Sequence, residues 1–263
     1  MLGFVFAAVA TWVPIDPQNA LVIDSTKGRI VVALEPRLAP VAVERVKKLA
    51  RMHVYDGLQM WRVLDTPAEA FIQTGDPGNH DVGRSSLPDI KSEFTAKVPV
   101  NALTFVRKGL DPEAFLGFVP VATQIVGPDD KTVRAWAAYC PGVVGMGRDA
   151  LPDTENAEIF LMRGTTRWFD HDYTAIGRIV VGLDVARAAN VGVPPKNPDV
   201  MKSVRVLGDV PKSRRAIISV LNVRSAAFAA RVADTQRARQ CVLDLRHSDV
   251  YARSIRAKRG TDV

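Results

Sequence analysis

The sequence predicts a mainly β fold, a barrel or sandwich with two helices, followed by a small C-terminal α/β extension. Three observations carry that prediction. Short apolar runs rich in β-branched residues recur along the first 210 positions, and Gly, Pro, Asp and Asn separate them. Sustained helical spacing occurs in few places. The 263 residues are 47% hydrophobic, 24% charged and 7% aromatic, which suits one large or two small globular domains and excludes a fibrous or disordered body.

The elements follow in order. Leu21-Val22-Ile23 and the run 30–34 flank Ser25-Thr26-Lys27-Gly28, a turn cluster whose glycine tolerates positive φ, so this stretch reads as a β-hairpin. Pro40 suits a helix start, and Val43, Val46, Leu49 and Ala50 recur at helical spacing, which predicts an amphipathic helix over 39–52. Strands are expected at 60–64, 71–74, 103–106, 143–146, 159–162 and 174–181. A second helix over 183–191 has Val185, Ala188 and Ala189 as its apolar stripe and is stopped by Pro194-Pro195; a last strand follows at 204–207. Segment 109–138 has no clear period and several turn residues, so it reads as an inserted excursion outside the core. Beyond it the chain predicts a strand at 217–223, a helix at 226–239, a short strand at 241–245 and a basic tail. The layout is therefore an arm or signal remnant over 1–18, a main domain over 19–211 with an insertion at about 109–138, and an extension over 212–263.

The formal net charge of +7 belongs to that extension. Residues 212–263 hold twelve basic and four acidic side chains, a local +8, which leaves the preceding 211 residues at −1. Only Tyr251 supplies an aromatic ring in the tail over 246–263, so it lacks the stacking platform of a single-strand binder and nucleic acid is not an expected partner. Cys140 and Cys241 show no metal spacing; their separation neither requires nor excludes one bridge between them, and they read first as two unlinked thiols. The four histidines give no metal motif, and no Gly-x-Ser-x-Gly, phosphate loop or dinucleotide fingerprint occurs. The apolar run over 1–13 is too short to span a bilayer, so no transmembrane segment is predicted. Ala8-Val9-Ala10 fits a signal-peptidase site, yet no basic residue precedes the run. Either the start lies inside a longer secretory signal, which implies a periplasmic protein, or the run is an arm of a cytoplasmic one.

Several ordered blocks carry more. Lys27-Gly28-Arg29-Ile30, Ala39-Pro40, Tyr55-Asp56-Gly57, Arg62-Val63, Gln73-Thr74-Gly75-Asp76-Pro77, the glycine-punctuated stretch 142–147, Phe160-Leu161-Met162 and the stretch 173–182 follow one another at consistent spacing. Together they resemble the cyclophilin-type peptidyl-prolyl cis-trans isomerases, over about residues 19–208. The resemblance implies a closed eight-stranded antiparallel β-barrel capped by two helices. It also implies proline-containing unfolded or partly folded polypeptides as partners, and no metal or other cofactor.

The chemistry implied is rotation about an Xaa-Pro bond, whose barrier of about 18–20 kcal/mol comes from amide resonance. In the twisted transition state the prolyl nitrogen loses conjugation and accepts a hydrogen bond better, so a fixed cationic donor in a dry pocket favours that state over the planar one. The resemblance puts this donor at Arg62, where a lysine would give charge without the planar fork. It puts the apolar socket for the ring at Phe71, Phe160 and Phe169 with Met60 nearby, the substrate-backbone contact at Gln73 and at the backbone of Gly147-Arg148, and a pocket wall at Tyr173. The chain departs from the family pattern in three places: the usual Phe-His-Arg is Met60-Trp61-Arg62, Ala70 stands where phenylalanine is usual, and Glu158, followed by Ile159, stands where glutamine is usual. Glu158 either pairs with Arg62, which makes a weak isomerase or a proline-peptide binding module, or orients it by a charge-assisted bond. Asp170-His171-Asp172 lacks an identifiable nucleophile and reads as a connector.

Overall fold

The computed structural model of the chain describes residues 10–75, 85–213, 215–237 and 253–254. In chain order the elements are β1 (Trp12–Pro14), β2 (Ala20–Ser25), β3 (Arg29–Leu34), α1 (Pro40–Arg51), β4 (Leu58–Gln59), β5 (Arg62–Asp65) and β6 (Ala70–Thr74). Next come β7 (Ala96–Pro99), β8 (Leu103–Arg107), β9 (Glu113–Leu116), β10 (Val119–Thr123) and β11 (Thr132–Ala137). The remainder are β12 (Val143–Met146), β13 (Ile159–Met162), β14 (Ala175–Val181), α2 (Leu183–Arg187), β15 (Val200–Val206), β16 (Ile218–Leu221), α3 (Ala226–Arg237) and β17 (Arg253–Ser254).

The predicted hairpin is β2–β3, closed by Ser25, whose amide and hydroxyl both donate to the Gly28 carbonyl at 2.9 and 2.8 Å. Gly28 sits at φ +137 with Val185 against it, a position that suits glycine. Helix α1 starts at Pro40 and buries the predicted stripe of Val43, Val46, Leu49 and Ala50, with Ala42 beside it. Ala39 has no side chain to cap it. The carboxylate of Glu93 does so from a distant loop, accepting from the amides of Val41 and Ala42 at 3.3 and 2.9 Å. Helix α2 ends at Arg187, earlier than the expected 191, because the amide of Asn190 turns away to donate to Asp199 at 2.8 Å.

The main sheet corrects the expected closed eight-stranded barrel. It has nine strands in the order β4-β15-β2-β3-β14-β12-β13-β6-β5, curled into a half-barrel with β4 and β5 as its edges. No ladder joins these edges among the described residues. The physical reason is chain connectivity: Met60 and Trp61 are all that separate β4 from β5, so the edges are linked covalently while β4 pairs with β15 and β5 with β6.

Segment 109–138 is also not an irregular excursion. It supplies β9, β10 and β11 to a five-stranded antiparallel sheet, β7-β11-β10-β9-β8, that begins at Ala96. The strands β9 and β10 are buried at every position, so their sequence shows no alternation to read. Strand β16 pairs with β1, aligning Trp12 with Leu221. Phe228 of α3 meets Phe115 of β9 edge to face at 4.9 Å. The N-terminal arm, the inserted sheet and the C-terminal helix thus share one small core of Phe115, Ala138, Cys140, Leu221, Phe228 and Val232. Cys140 is disulfide-bonded, which corrects the free-thiol expectation; the chain's other cysteine, Cys241, the strand expected at 241–245 and most of the basic tail lie outside the described residues. Among the described residues no helix is long and apolar enough to cross a membrane.

Candidate active site

Strand register builds the site. Arg62 of β5 lies opposite Gln73 of β6, Gln73 opposite Phe160 of β13, and Phe160 opposite Gly145 of β12, so four strands contribute to one row on one face. Phe71, two residues before Gln73, lies on that same face. A Cβ on Gly145 would fall 2.5 Å from the Phe160 ring, so glycine there makes room for the ring. Phe169 follows from a short 3-10 turn, Arg167–Phe169, and packs on Phe71, Phe160 and Tyr173 with ring centroids 5.5, 5.4 and 4.5 Å apart.

These rings floor a cavity of about 200 Å³ that Arg62, Gln73, Phe71, Gly147, Phe160, Phe169 and Tyr173 all line. The arginine is held from three directions. Its Nη1 donates to Gln73 Oε1 at 3.2 Å, its Nη2 lies 3.8 Å from Glu69 Oε2, and its Cζ stands 5.1 Å above the Phe71 ring. Its side chain remains 35% exposed, so the guanidinium still faces the opening.

The carboxylate of Glu158 bonds differently from either expectation. Its Oε2 accepts from Gln73 Nε2 at 2.7 Å and its Oε1 from Trp61 Nε1 at 3.0 Å. Among the described residues no ion pair joins it to Arg62. Glu158 fixes the amide of Gln73 so that its oxygen faces Arg62, and therefore orients the arginine through one intermediary. Two departures from the family pattern are thus partners, an indole donor at Trp61 facing a carboxylate acceptor at Glu158. The third, Ala70, has a packing reason. Its carbonyl accepts from the amides of Arg163 and Gly164 at 2.8 and 3.0 Å, and a Cβ on Gly164 would fall 2.7 Å from that of Ala70. Gly147 is similarly constrained: its amide donates to the Glu158 carbonyl at 2.8 Å, and a Cβ there would collide with the Glu158 side chain at 2.5 Å.

Met60 alone among the residues assigned to the socket falls elsewhere. It is 2% exposed in the main core and does not line the cavity. The chain crosses between sheet edges here, and the Met60 amide donates to the Asp199 carbonyl at 2.8 Å, which turns the residue inward. Sequence reasoning missed Glu69 and Trp168, which line the same cavity, while Arg148, expected with Gly147 to offer its backbone to bound peptide, brings its side chain to the lining as well. Arg148 stacks over Tyr173 with its Cζ 4.8 Å from the ring centroid. Asp170 has a structural duty: it accepts from the Tyr139 amide at 2.9 Å and from Arg167 at 2.7 Å.

The arrangement can hold an apolar ring against an aromatic floor with an oriented cationic donor beside it. It offers no nucleophile and asks for none. The family model for "Cyclophilin type peptidyl-prolyl cis-trans isomerase/CLD" matches residues 20–208, and the chain belongs to that family. It is 28% identical over 220 residues to a "Probable peptidyl-prolyl cis-trans isomerase" of Brucella suis, covering 77% of this chain and 89% of that one. It is 23% identical over 201 residues to the mouse "Peptidyl-prolyl cis-trans isomerase-like 1", covering 76% and 95%. Among solved structures it is similar to cyclophilin AquaCyp293 from Hirschia baltica, with a TM-score of 0.79 at 27% identity over 88% of this chain and 90% of that one.

Proposed function

We propose that this peptidyl-prolyl cis-trans isomerase acts on proline-containing segments of unfolded or partly folded polypeptides, with Arg62 as the donor to the prolyl nitrogen. The observation that carries this reading is the chain of bonds from Trp61 and Gln73 to Glu158 and from Arg62 to Gln73, which holds the guanidinium over the aromatic cavity. A donor already in place needs little reorganisation as the peptide bond twists. Phe71, Phe160 and Phe169 take the ring, while Gln73, the Gly147 backbone and Tyr173 face the flanking peptide. In a prolyl-peptide isomerisation assay Arg62→Ala should lower kcat/KM about a hundredfold, the scale of losing one preorganised donor. Equal rates for the two proteins would remove Arg62 from the chemistry.

A periplasmic setting fits the same reading. It is supported by the disulfide at Cys140, since such bonds persist in oxidising compartments. It is supported too by β1, which begins at Trp12, just past the Ala8-Val9-Ala10 motif. N-terminal sequencing of the protein from host periplasm should find Thr11 first. A cytoplasmic protein that keeps Met1 would refute this.

A further inference from the structure

The Arg62 cavity has a second guanidinium on its wall that the isomerase chemistry leaves unused. Arg148 lines the cavity beside Gly147 and Tyr173, and its Cζ stands 4.8 Å from the Tyr173 ring centroid and 5.6 Å from that of Phe94. Its Nε donates to the Asp172 carbonyl at 3.0 Å, and its Nη1 donates to the carbonyls of Asp149 and Ala150 at 3.0 and 3.2 Å. These bonds fix the plane of the group without neutralising it, because both aspartates offer their backbone oxygens. Among the described residues no carboxylate forms an ion pair with Arg148, and its Nη2 has no hydrogen bond. Arg62 differs, since Glu69 Oε2 lies 3.8 Å from its Nη2 and offsets part of its charge. The carboxylate of Glu158 bonds Gln73 and Trp61 and does not line the cavity. Among the described residues the lining therefore sets two guanidinium groups against the single carboxylate of Glu69. A half-buried cation with an open donor edge favours an incoming carboxylate.

We infer that Arg148 selects clients with an acidic side chain close to the proline, its Nη2 donating to an aspartate or glutamate carboxylate while the proline ring lies in the aromatic socket. The inference deepens the isomerase reading and rests on it. Packing sets the position. Tyr173, which carries the guanidinium, has its ring 5.3 Å from Phe160 and 4.5 Å from Phe169, so Arg148 is one ring removed from the socket floor. An extended chain advances about 3.3 Å per residue, which puts the favoured carboxylate about two residues from the proline. A cation already held by three carbonyls and two rings loses little side-chain freedom on pairing, unlike a mobile surface arginine. Arg148 is thus a specificity residue. It binds planar and twisted peptide alike, and its effect falls on KM.

The test measures kcat/KM of the full chain on hexapeptides with one Xaa-Pro bond, carrying Glu, Gln or Lys in turn at each position within two residues of the proline. At one position Glu should exceed Gln about fivefold through KM, with Lys below Gln, and the ratio should shrink at high salt. Arg148→Met should bring the Glu to Gln ratio to about one, and Arg148→Lys should keep part of it. The ratio within each protein is the readout, so a general loss of activity in a variant does not imitate the effect. Equal rates on Glu and Gln peptides at every position in wild type overturn the inference without any variant. A Glu preference that survives Arg148→Met overturns it too, because the preference would then belong to Arg62. If wild type turns over none of the peptides, the isomerase reading fails instead, and calorimetric affinities for the same Glu and Gln peptides still decide on Arg148.

Discussion

An arginine stands beside a carboxylate in both halves of the molecule, and the two pairs are built differently. In the main sheet Arg62 keeps 3.8 Å from Glu69 and donates its closer bond to the neutral amide oxygen of Gln73. In the inserted sheet the carboxylate of Glu113 is buried and gripped by both Arg107 and Arg167, at 3.2 and 3.0 Å. The second arrangement leaves Glu113 with two cations close enough to offset its burial, and it ties β9 to the turn that carries Phe169. The first leaves a guanidinium oriented yet open to a cavity. Residue types alone do not distinguish a site from a staple; partner distance and the direction of exposure do.

If the two halves are separable in this way, damage to the accessory core should leave chemistry intact. Phe228 is 1% exposed against Phe115, and Phe228→Ala should cost about 3–5 kcal/mol of stability by denaturant titration. Turnover of a tetrapeptide below the transition should be unchanged, because Phe228 does not line the Arg62 cavity. A parallel loss of kcat would mean that the halves are one functional unit.

The main half carries its own liability in Glu155. Both of its carboxylate oxygens are buried without a well-formed hydrogen bond among the described residues, and burial raises its pKa from 4.5 to about 7, with Thr174 and Ser92 pulling it partly back. Between about pH 4.5 and 7 the native state therefore holds a proton that the unfolded chain has lost. Stability from this group is full below the lower value and falls as pH rises through the upper one, by about 3 kcal/mol in total. Urea midpoints for wild type and Glu155→Gln should diverge between pH 5 and 8, with the variant gaining as pH rises. Parallel pH slopes would show that Glu155 is not the titrating group.

The comparison also explains what could be read from the sequence. Helix α1 and strands β12 and β13 were legible because helical spacing and bounded apolar runs survive in them. The inserted sheet was not, because β9 and β10 are buried at every position and Glu113 breaks the apolar run with a charge satisfied by distant arginines. Most site residues were legible through the ordered blocks. The bond between Trp61 and Glu158, 97 positions apart, was not, since each looks like an isolated departure until strand pairing brings them together. Met60 was misplaced for a related reason: a two-residue crossing between sheet edges breaks the alternation that would have kept it beside Arg62.

The central claim is that a planar guanidinium, oriented by Gln73, Glu69 and the Phe71 ring and still open to the cavity, is the group that stabilises the twisted peptide bond. Arg62→Lys keeps the positive charge and removes the fork, so it separates geometry from charge. Prolyl-tetrapeptide kcat/KM should fall at least about tenfold while peptide affinity changes little, equivalent to about 1.4 kcal/mol of lost transition-state binding. Full activity in Arg62→Lys would contradict the account.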